Sequence, residues 1–535
     1  MRGRMMEMPL LVSSLVEHAG GVYGDQAVVS RNTDGAVHRY SWRDVRDRSR
    51  GLSGALAARG ITAGDRLATL AWNNHRHLEI YYGVSGMGAV CHTLNPRLHP
   101  AELAFVLNHA EDRILFLDTT FVPLAEAIAD KLPRVEAYVV LTGPEGMPET
   151  KLPNAVAYED LLSGAEGGFT WPTLDEHDAA SLCYTSGTTG NPKGVLYSHR
   201  STVLHAMAIS MPDVFMMGSR ESVLPVVPMF HANAWGIPYS AALTGTKLVL
   251  PGPRLDPTGL TELLTDEGVT CCAGVPSVFI PLLQHWRDQG VRPPALERVL
   301  IGGSAPPRSL IAALEGEFGI EFLHGWGMTE TSPLGSVNRV GREWLDRGVE
   351  ERSIFQTKQG RPPFGVELRI VDDQGAPLPH DGTAGGELQI RGPWVAAGYF
   401  RDDTERLTSD GWFPTGDVAT IDAQGYMQIT DRTKDLIKSG GEWISSIDVE
   451  NMAMGHPEIS MAAVIGVPDE RWGERPLLIA VPAQGATPTR DEVLTFLGER
   501  LAKWQVPDDV VFVEQLPMGG TGKVQKSKLR EEYGG

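Results

Sequence analysis

The sequence lacks features that are typical of several classes of protein. It contains only four cysteines, at positions 91, 183, 271 and 272, and their spacing matches neither a metal site nor a disulfide framework. No apolar run approaches the ~20 residues that a bilayer-spanning helix needs. Basic residues number 47 against 67 acidic ones, and the net charge of −20 repels nucleic acid and anionic lipid. We therefore expect a protein of the reducing cytoplasm with neither nucleic acid nor a membrane as its partner.

The composition is that of a soluble globular protein, with 42% hydrophobic and 21% charged residues. A chain of 535 residues exceeds what one core normally supports, so two or more domains are expected. Short β-branched runs alternate with amphipathic stretches, a pattern typical of parallel sheets covered by helices. Strands are predicted at 269–273, 298–301 and 320–323, and α/β folds bind their ligands at the carboxyl ends of such strands.

A domain boundary is predicted near residue 431. A strand-turn-strand pattern, with Gly425 in the turn, ends there in the charged stretch DRTKDLIK. Beyond it, strands are predicted at 461–467, 477–481 and 510–513. A helix in the same region begins at Thr489, because Glu492 completes a capping box with it. These elements suffice for a small α+β domain.

Residues 184–194, YTSGTTGNPKG, are the most informative segment of the chain. Glycine lets backbone N–H groups approach an anion, while hydroxyl side chains and the Lys193 ammonium add donors and positive charge. The segment is not a Walker A loop, which requires Lys followed by Ser or Thr, because Gly194 follows Lys193 here. Surface turns have a similar composition, but the length of this string favours a phosphate-binding loop.

This segment resembles the signature loop of the adenylate-forming superfamily, which includes acyl-CoA synthetases, luciferases and peptide-synthetase adenylation domains. Further motifs of that superfamily follow in its order: HANAW, GWGMTET, PTGD, DRTKDL and GTGKVQK. The resemblance covers nearly the whole chain and is greatest to fatty-acyl-CoA and short-acid CoA ligases. It implies an α/β amino-terminal domain over 1–430 with mostly parallel sheets and a β-rich subdomain. A hinge at Asp431 and a mobile α+β domain over 432–535 would follow.

The resemblance also implies the reaction. A carboxylate would attack the α-phosphate of ATP, pyrophosphate would leave, and CoA would then displace AMP from the acyl-adenylate. Negative charge builds on the α-phosphoryl oxygens, so cations, oriented donors and Mg²⁺ are expected there. Glu330 matches the magnesium-associated carboxylate, Thr185 a second hydroxyl on the metal side, and Thr329 an α-phosphate donor. From its position alone, Glu330 would instead be a solvated helix-start residue.

The remaining nucleotide residues are likewise implied by matching motifs. Trp326 is expected to stack on adenine, and Asp417 to accept hydrogen bonds from the ribose hydroxyls. The further positions assigned to the nucleotide are Ser186, Gly187, Thr188, Thr189, Gly190, Lys193, Gly303, His324, Gly325, Gly327, Arg432, Lys434 and Lys438.

Lys523 matches the catalytic lysine of the superfamily, which would contact both the α-phosphate and the attacking carboxylate. A lysine between flexible residues is otherwise usually solvated. Because Lys523 lies on the mobile domain, a second orientation is implied, in which rotation about Asp431 withdraws it. Five residues would then line the route of the CoA pantetheine: Ser439, Gly440, Gly441, Glu442 and Trp443.

The sequence indicates the carboxylic acid substrate less narrowly than it indicates the reaction. His231 stands where amino-acid-activating relatives place aspartate, which disfavours an amino acid substrate, and we assign it to the catalytic and acyl sites. Trp235 matches an aromatic gate of long-chain enzymes, and Gly303 is expected beside the acyl group. Met229 and Tyr239 suggest a hydrophobic pocket. A short or medium aliphatic acid is favoured, with 3-methylthiopropanoate as one candidate and a long-chain fatty acid as the alternative.

Two other classes stay open. The chain could load a separate carrier protein instead of free CoA, or it could be a nucleotide-binding scaffold without activity. Retention of both Glu330 and Lys523 argues against the scaffold. Relatives of this type are commonly homodimers, so a homodimer is expected.

Overall fold

The computed structural model describes residues 1, 3–164, 168–185, 192–432, 435–439, 442–519 and 524–534, with the backbone alone at 442 and 443. Within these ranges the strands form four sheets, of eight, seven, four and five strands. Two large sheets with helices packed on them make up the amino-terminal part. The α/β fold class expected from the sequence is confirmed, as are the separate antiparallel sheet that follows and the α+β carboxy-terminal region.

The eight-stranded sheet carries the strand ends around which the site is built. Its strands, in spatial order, are Leu334–Asn338, Glu321–Gly327, Arg298–Gly302, Cys271–Gly274, Ser222–Pro225, Lys247–Leu250, Ala27–Arg31 and Val37–Ser41. All neighbours are parallel except the outermost pair at each edge. The central strands are buried on both faces, as parallel strands covered by helices must be, which explains their continuous apolar sequence.

The seven-stranded sheet holds the arms of the signature loop. Its strands, in spatial order, are Ala155–Ala157, Ala137–Val140, Ile114–Leu117, Arg66–Leu70, Val90–Thr93, Ala179–Tyr184 and Gly194–Ser198. Only the last pair is antiparallel, and its register places Tyr184 opposite Gly194. Residues 185–193 therefore leave and re-enter the sheet at one place. The largest apolar core contains side chains of both sheets.

The helices begin where local capping predicts. Ser41 and Asp44 form a reciprocal capping box, and the Asp256 side chain accepts from the Gly259 N–H. The α-helices are Val12–Val22, Trp42–Ala58, His75–Gly86, Pro100–Ala110, Val122–Glu126, Tyr158–Ser163, His199–Ile209, Ile237–Thr244, Pro257–Asp266, Pro276–Gln289, Arg308–Ala312, Arg342–Leu345, Val349–Phe355, Ser446–Ala453, Arg490–Gly498 and Lys526–Tyr533. Short 3₁₀ turns occupy Thr119–Phe121, Ala129–Lys131, Pro144–Gly146 and Thr329–Thr331, and a π-helical turn occupies Ala313–Glu317.

The two smaller sheets follow in the chain. The four-stranded sheet is antiparallel, in the order Glu367–Val371, Gly385–Arg391, Phe413–Ile421 and Met427–Arg432. The last sheet runs Glu442–Ile444, Ile437–Ser439, Gly473–Pro482 and Ile459–Asp469, with Asp509–Phe512 parallel to Gly473–Pro482. It has apolar clusters of its own. The strands predicted beyond residue 431 are confirmed, and so is the capping box of the helix that starts after Thr489.

No helix of the described ranges is both long and apolar enough to cross a bilayer. The four cysteines are all buried and unpaired. They pack as small core residues, and burial raises the pKa of the Cys183 thiol to about 11. Cys183 is therefore a thiol rather than a thiolate near neutral pH, in agreement with the packing role that its sequence context suggested.

Buried histidines should make stability fall with acidity. Burial lowers the pKa of His205 to about 3 and the pKa values of His77, His199 and His324 to about 4. Because the unfolded chain binds these protons near pH 6.5, stability is full above that pH and falls as the pH drops toward 4. We expect each histidine to cost on the order of 2 kcal/mol at pH 5. Asp118 offsets part of this loss, because burial raises the pKa of its carboxyl to about 7 and its protonation at lower pH favours the folded state. Urea unfolding at pH 7.5 and 5 would measure the loss, and equal free energies of unfolding would contradict it.

Candidate active site

The two ends of the signature loop are hydrogen-bonded to each other. The Thr185 N–H donates to the Lys193 carbonyl at 2.9 Å, directly above the pairing of Tyr184 with Gly194. Thr185 also lines a small cavity together with Tyr184, Phe230 and His231. The structure thus brings the predicted metal-side hydroxyl next to the predicted acyl-site histidine. The loop positions Ser186, Gly187, Thr188, Thr189 and Gly190 lie outside the described residues.

Close backbone packing requires glycines at two neighbouring strand ends. A Cβ on Gly302 would lie 2.5 Å from the Gly325 carbonyl oxygen, and Gly303 has a φ of +81°. No other residue type would fit the first position or readily adopt the second conformation. Gly327 is equally constrained, because a Cβ there would overlap the Pro333 carbonyl. The predicted glycine positions therefore follow from the backbone geometry of the strand ends.

The predicted adenine and ribose residues lie together. The Trp326 indole N–H donates to Asp417 Oδ2 at 3.2 Å, and Arg432 Nε lies 3.5 Å from Asp417 Oδ1. Asp417 and Arg432 are opposite each other on paired strands, whereas Trp326 comes from the eight-stranded sheet. An acceptor-only carboxylate held between an aromatic ring and a cation is suited to a ribose diol below a stacked base.

Thr329 and Glu330 follow Trp326 on a short 3₁₀ turn, and both are buried. The Tyr197 hydroxyl donates to the Thr329 carbonyl at 2.7 Å, and the Ala396 N–H donates to the Glu330 carbonyl at 2.7 Å. The turn is thus fixed from two sides. A single segment, residues 324–330, carries the predicted base, phosphate and metal positions in order.

Tyr399 links the two charged groups of the phosphate side. Its hydroxyl donates to Glu330 Oε1 at 2.6 Å, and Lys193 Nζ lies 4.9 Å from its ring centroid. Burial, followed by the Glu330 charge, raises the pKa of Tyr399 well above its usual value, so the hydroxyl keeps its proton. Tyr399 belongs to none of the motifs recognised in the sequence. Tyr399 is 69 positions from Glu330, and no local pattern signals the contact.

Replacing Tyr399 with phenylalanine should show what its hydrogen bond to Glu330 contributes, apart from the packing of the ring. The ring and its contact with Lys193 remain, while Glu330 loses its donor. A hydrogen bond to a charged group implies a decrease of about 10-fold in kcat/KM for adenylation. Pyrophosphate release would measure it. Tyr426→Phe is the matched control, because the Tyr426 hydroxyl is buried without a partner among the described residues. Equal activity of the two variants would show that the Tyr399 hydroxyl does not contribute to adenylation.

The HANAW motif forms a left-handed turn. Residues 232–235 have φ values of +43°, +53°, +51° and +57°, although none of them is glycine. Left-handed helical geometry costs roughly 1–2 kcal/mol per residue and is typically kept at functional sites. Asn233 holds the turn: its amide donates to Ser181 Oγ at 2.9 Å and accepts from Cys183 Sγ at 3.1 Å. The sequence gives no sign of this conformation.

Trp235 ends that turn and is 9% exposed. A Cβ on Gly302 would come within 3.3 Å of the Trp235 ring, so the indole lies against the strand end that carries Gly303. The predicted acyl gate and the predicted acyl-site glycine are therefore close in space. His231 precedes the turn and faces the cavity beside Thr185.

Other predicted residues are placed less directly. His324 is buried, its Nδ1 lies 3.2 Å from the Gln356 carbonyl, and its predicted nucleotide contact stays a prediction. The Ser439 hydroxyl accepts from Arg475, and the Lys438 N–H donates to Glu474. Lys434, Gly440, Gly441 and Lys523 lie outside the described residues, as do the side chains of Glu442 and Trp443.

The predicted hinge residue lies on the last strand of the four-stranded sheet and contacts the helix Ser446–Ala453. Asp431 accepts from its neighbour, the Arg432 N–H, at 2.7 Å and from the Ser446 N–H at 2.6 Å. Ser446 begins the first helix of the carboxy-terminal region, and Lys526 Nζ donates to its hydroxyl. Asp431 is 1% exposed, and burial raises the pKa of its carboxyl. That Asp431 acts as a hinge stays a prediction.

Comparison with known proteins gives matches over most of the chain. Residues 16–400 match the family model described as AMP-binding enzyme, and residues 448–523 match its C-terminal domain. The medium-chain-fatty-acid–CoA ligase of Ectopseudomonas oleovorans is 51% identical over 534 residues, which cover 100% of this chain and 98% of that protein. The 3-methylmercaptopropionyl-CoA ligase of Ruegeria lacuscaerulensis is also 51% identical, with 100% and 99% covered.

A solved structure extends the similarity to three dimensions. The ATP-bound MatB from Rhodopseudomonas palustris superposes with a TM-score of 0.82 at 27% identity, covering 97% of this chain and 99% of that one.

Proposed function

The chain belongs to the AMP-binding enzyme family and is an AMP-forming acyl-CoA ligase, and we propose that its acid is a short or medium aliphatic carboxylate. The observation that supports the site assignment is that one short segment, residues 326–330, contacts different groups at its two ends. Trp326 is paired with Asp417 on the nucleoside side, and Glu330 is joined through Tyr399 to Lys193 on the phosphate side. A nucleoside triphosphate would span these two groups.

In the first step, a carboxylate oxygen of the acid attacks the α-phosphorus of ATP. The new P–O bond forms as the bond to pyrophosphate breaks, and no proton is transferred to the protein. Negative charge accumulates on the α-phosphoryl oxygens, so preorganised donors lower the barrier most there. We assign this role to Thr329 and Lys193, with Lys523 added by the carboxy-terminal domain.

We propose Mg²⁺ as the metal, held by Glu330 and the Thr185 hydroxyl together with phosphate oxygens. Hard oxygen ligands suit Mg²⁺, which commonly uses one or two protein groups plus substrate phosphates. The described residues contain no cluster of three or more metal-ligating side chains, which fits an ion brought in with the nucleotide. When bound, the ion would neutralise phosphate charge. Glu330 is already positioned for this by the Tyr399 hydroxyl.

In the second step, the sulfur of CoA attacks the acyl carbon of the acyl-adenylate. The thioester bond forms, the bond to AMP breaks, and the thiol proton is lost to solvent or to a base. We propose that rotation about Asp431 exchanges Lys523 for residues 439–443 between the steps. No enzyme nucleophile is required, and burial keeps the nearby Cys183 protonated.

The acyl group would lie between Trp235, His231 and Gly303. His231 supplies no carboxylate for an α-amine, which disfavours amino acids. The two relatives described above act, by their names, on a medium-chain fatty acid and on 3-methylmercaptopropionate, and we place 3-methylthiopropanoate among the candidate substrates. A long-chain acid and a carrier-protein acceptor remain the alternatives. A reducing cytoplasm, consistent with four unpaired cysteines, and a homodimer complete the proposal.

A pyrophosphate-release screen over carboxylic acids, with and without CoA, tests these assignments. We expect turnover with short and medium straight-chain acids and the thioether acid, and thioester formation only when CoA is added. Clear preference for acids of twelve or more carbons would overturn the substrate proposal. Acylation of a supplied carrier protein but not of CoA would overturn the proposed acceptor.

A further inference from the structure

A second buried cavity lies behind the acyl gate. It is enclosed by Tyr197, Thr202, His205, Asn233, Tyr239 and Ser332, with the backbone of Gly236 as a further wall. Each of these six side chains is less than a tenth exposed. The cavity is about the size of one water molecule, and each of the six side chains carries a hydrogen-bonding group.

Two parts of the proposed site border the cavity. Asn233 and Gly236 flank the gate residue Trp235, and all three belong to the left-handed turn or its end. Tyr197 donates its hydroxyl proton to the Thr329 carbonyl at 2.7 Å, directly behind the proposed α-phosphate donor. An acyl chain that passes Trp235 inward from this turn would point its far end at the cavity.

The hydroxyl groups on one side of the cavity can only accept. Tyr197 donates to the Thr329 carbonyl, Thr202 to the Ser198 carbonyl at 2.9 Å, and Ser332 to the Trp394 carbonyl at 2.8 Å. Their protons are committed to these carbonyls. Only the lone pairs of these oxygens are available to a group in the cavity, and they need a hydrogen-bond donor.

The other side of the cavity offers donors. His205 Nε2 accepts from the Leu334 N–H at 3.3 Å, so the proton of its neutral ring is on Nδ1, close to Gly236. Burial lowers the pKa of His205 to about 3, which keeps the ring neutral. The Tyr239 hydroxyl accepts from the Asn233 amide at 3.3 Å and retains its own proton. Across the described ranges, neither proton has an acceptor.

We infer that this cavity is the inner end of the acyl pocket and binds a hydroxyl group at the far end of the carboxylic acid substrate. A hydroxyl is the size of the water that otherwise fits, and it satisfies both sides: it donates to the oxygen lone pairs and accepts from His205 or Tyr239. A terminal methyl would leave these buried groups unpaired, and a thioether sulfur, a weak acceptor, would satisfy only the donors. This inference deepens the proposed ligase function and rests on it.

The test compares pairs of acids that differ only in a terminal hydroxyl or methyl group, over chain lengths of about four to eight carbons. Pyrophosphate release gives kcat/KM for each acid. We expect one length at which the hydroxy acid is preferred by at least about 10-fold, because only one length reaches the cavity. Equal rates, or preference for the methyl acid at every length, would overturn the inference. Absence of turnover with every acid would instead refute the proposed ligase function.

Two nearly isosteric variants test whether the Tyr239 hydroxyl causes the preference for a terminal hydroxyl group. Tyr239→Phe removes one donor to the cavity and should reduce the ratio of kcat/KM for the hydroxy acid to kcat/KM for the methyl acid by about 10-fold. Tyr82→Phe is the matched control, because its ring contacts Tyr239 but its hydroxyl donates to the Pro238 carbonyl outside the cavity. An unchanged preference in Tyr239→Phe, or an equal loss in both variants, would overturn the inference.

Discussion

Replacing Lys523 with alanine is expected to reduce acid-dependent pyrophosphate release by about 10³-fold, because removing one group that stabilises transition-state charge costs that much in comparable sites. Lysine suits this position as a compact, flexible point charge. Thioester formation from preformed acyl-adenylate should fall far less, since the second reaction no longer involves phosphorus attack. Measuring the two half-reactions separately, with purified acyl-adenylate for the second, isolates the effect.

Lys528→Ala is the matched control for this variant. Lys528 is exposed on the helix Lys526–Tyr533, five positions after Lys523, and both half-reactions should be unaffected. Lys523→Arg should recover little of the lost activity, because a planar guanidinium differs in shape and reach from an ammonium. Equal losses in both half-reactions of Lys523→Ala would contradict the division of labour between the two domain orientations.

Glu330→Gln is expected to lower the rate of adenylation by about 100-fold and to raise the Mg²⁺ concentration needed for half-maximal rate. The amide keeps the size of the side chain and can still accept from the Tyr399 hydroxyl. What it loses is the negative charge that would hold the ion. Titrating Mg²⁺ in the pyrophosphate-release assay, at saturating acid and nucleotide, measures both changes.

Glu343→Gln serves as the control, because Glu343 is an exposed carboxylate on the short helix that follows the site. It should match the unmodified protein in rate and in Mg²⁺ dependence. Comparison with Tyr399→Phe adds a gradation: the loss of the positioning hydrogen bond should cost less than the loss of the charge itself. A Glu330→Gln variant with an unchanged Mg²⁺ requirement would exclude this carboxylate as the metal-side group.

Local sequence patterns predicted the elements that carry the site. The strand ending in Gly302 and the strand running into Trp326 were both expected and are observed. The antiparallel pairing of Phe413–Ile421 with Met427–Arg432 was expected from the hairpin pattern. Such predictions succeed because hydrophobic periodicity, turn residues and capping act between neighbours in the chain.

Contacts between distant segments were beyond local prediction. Tyr399 reaches Glu330 across 69 residues, and only the folded chain brings the two side chains together. The left-handed turn at 232–235 contains no glycine, and its strain is sustained by the buried Asn233 network rather than by its own sequence. Tyr239 was expected to line a pocket, but the sequence did not indicate that its hydroxyl borders a cavity lined by hydrogen-bonding side chains.

Local patterns in the chain were enough to predict the α/β class and the strands that end at the site, and the motifs implied the adenylate-forming chemistry. Each depends on short-range patterns or on residues fixed by that chemistry. The contacts between distant groups are seen only in the folded chain: Tyr399 with Glu330 and Lys193, Trp326 with Asp417, and the donors and acceptors around the second cavity. These partners are far apart in the chain, and packing of the sheets and helices brings them within hydrogen-bonding distance.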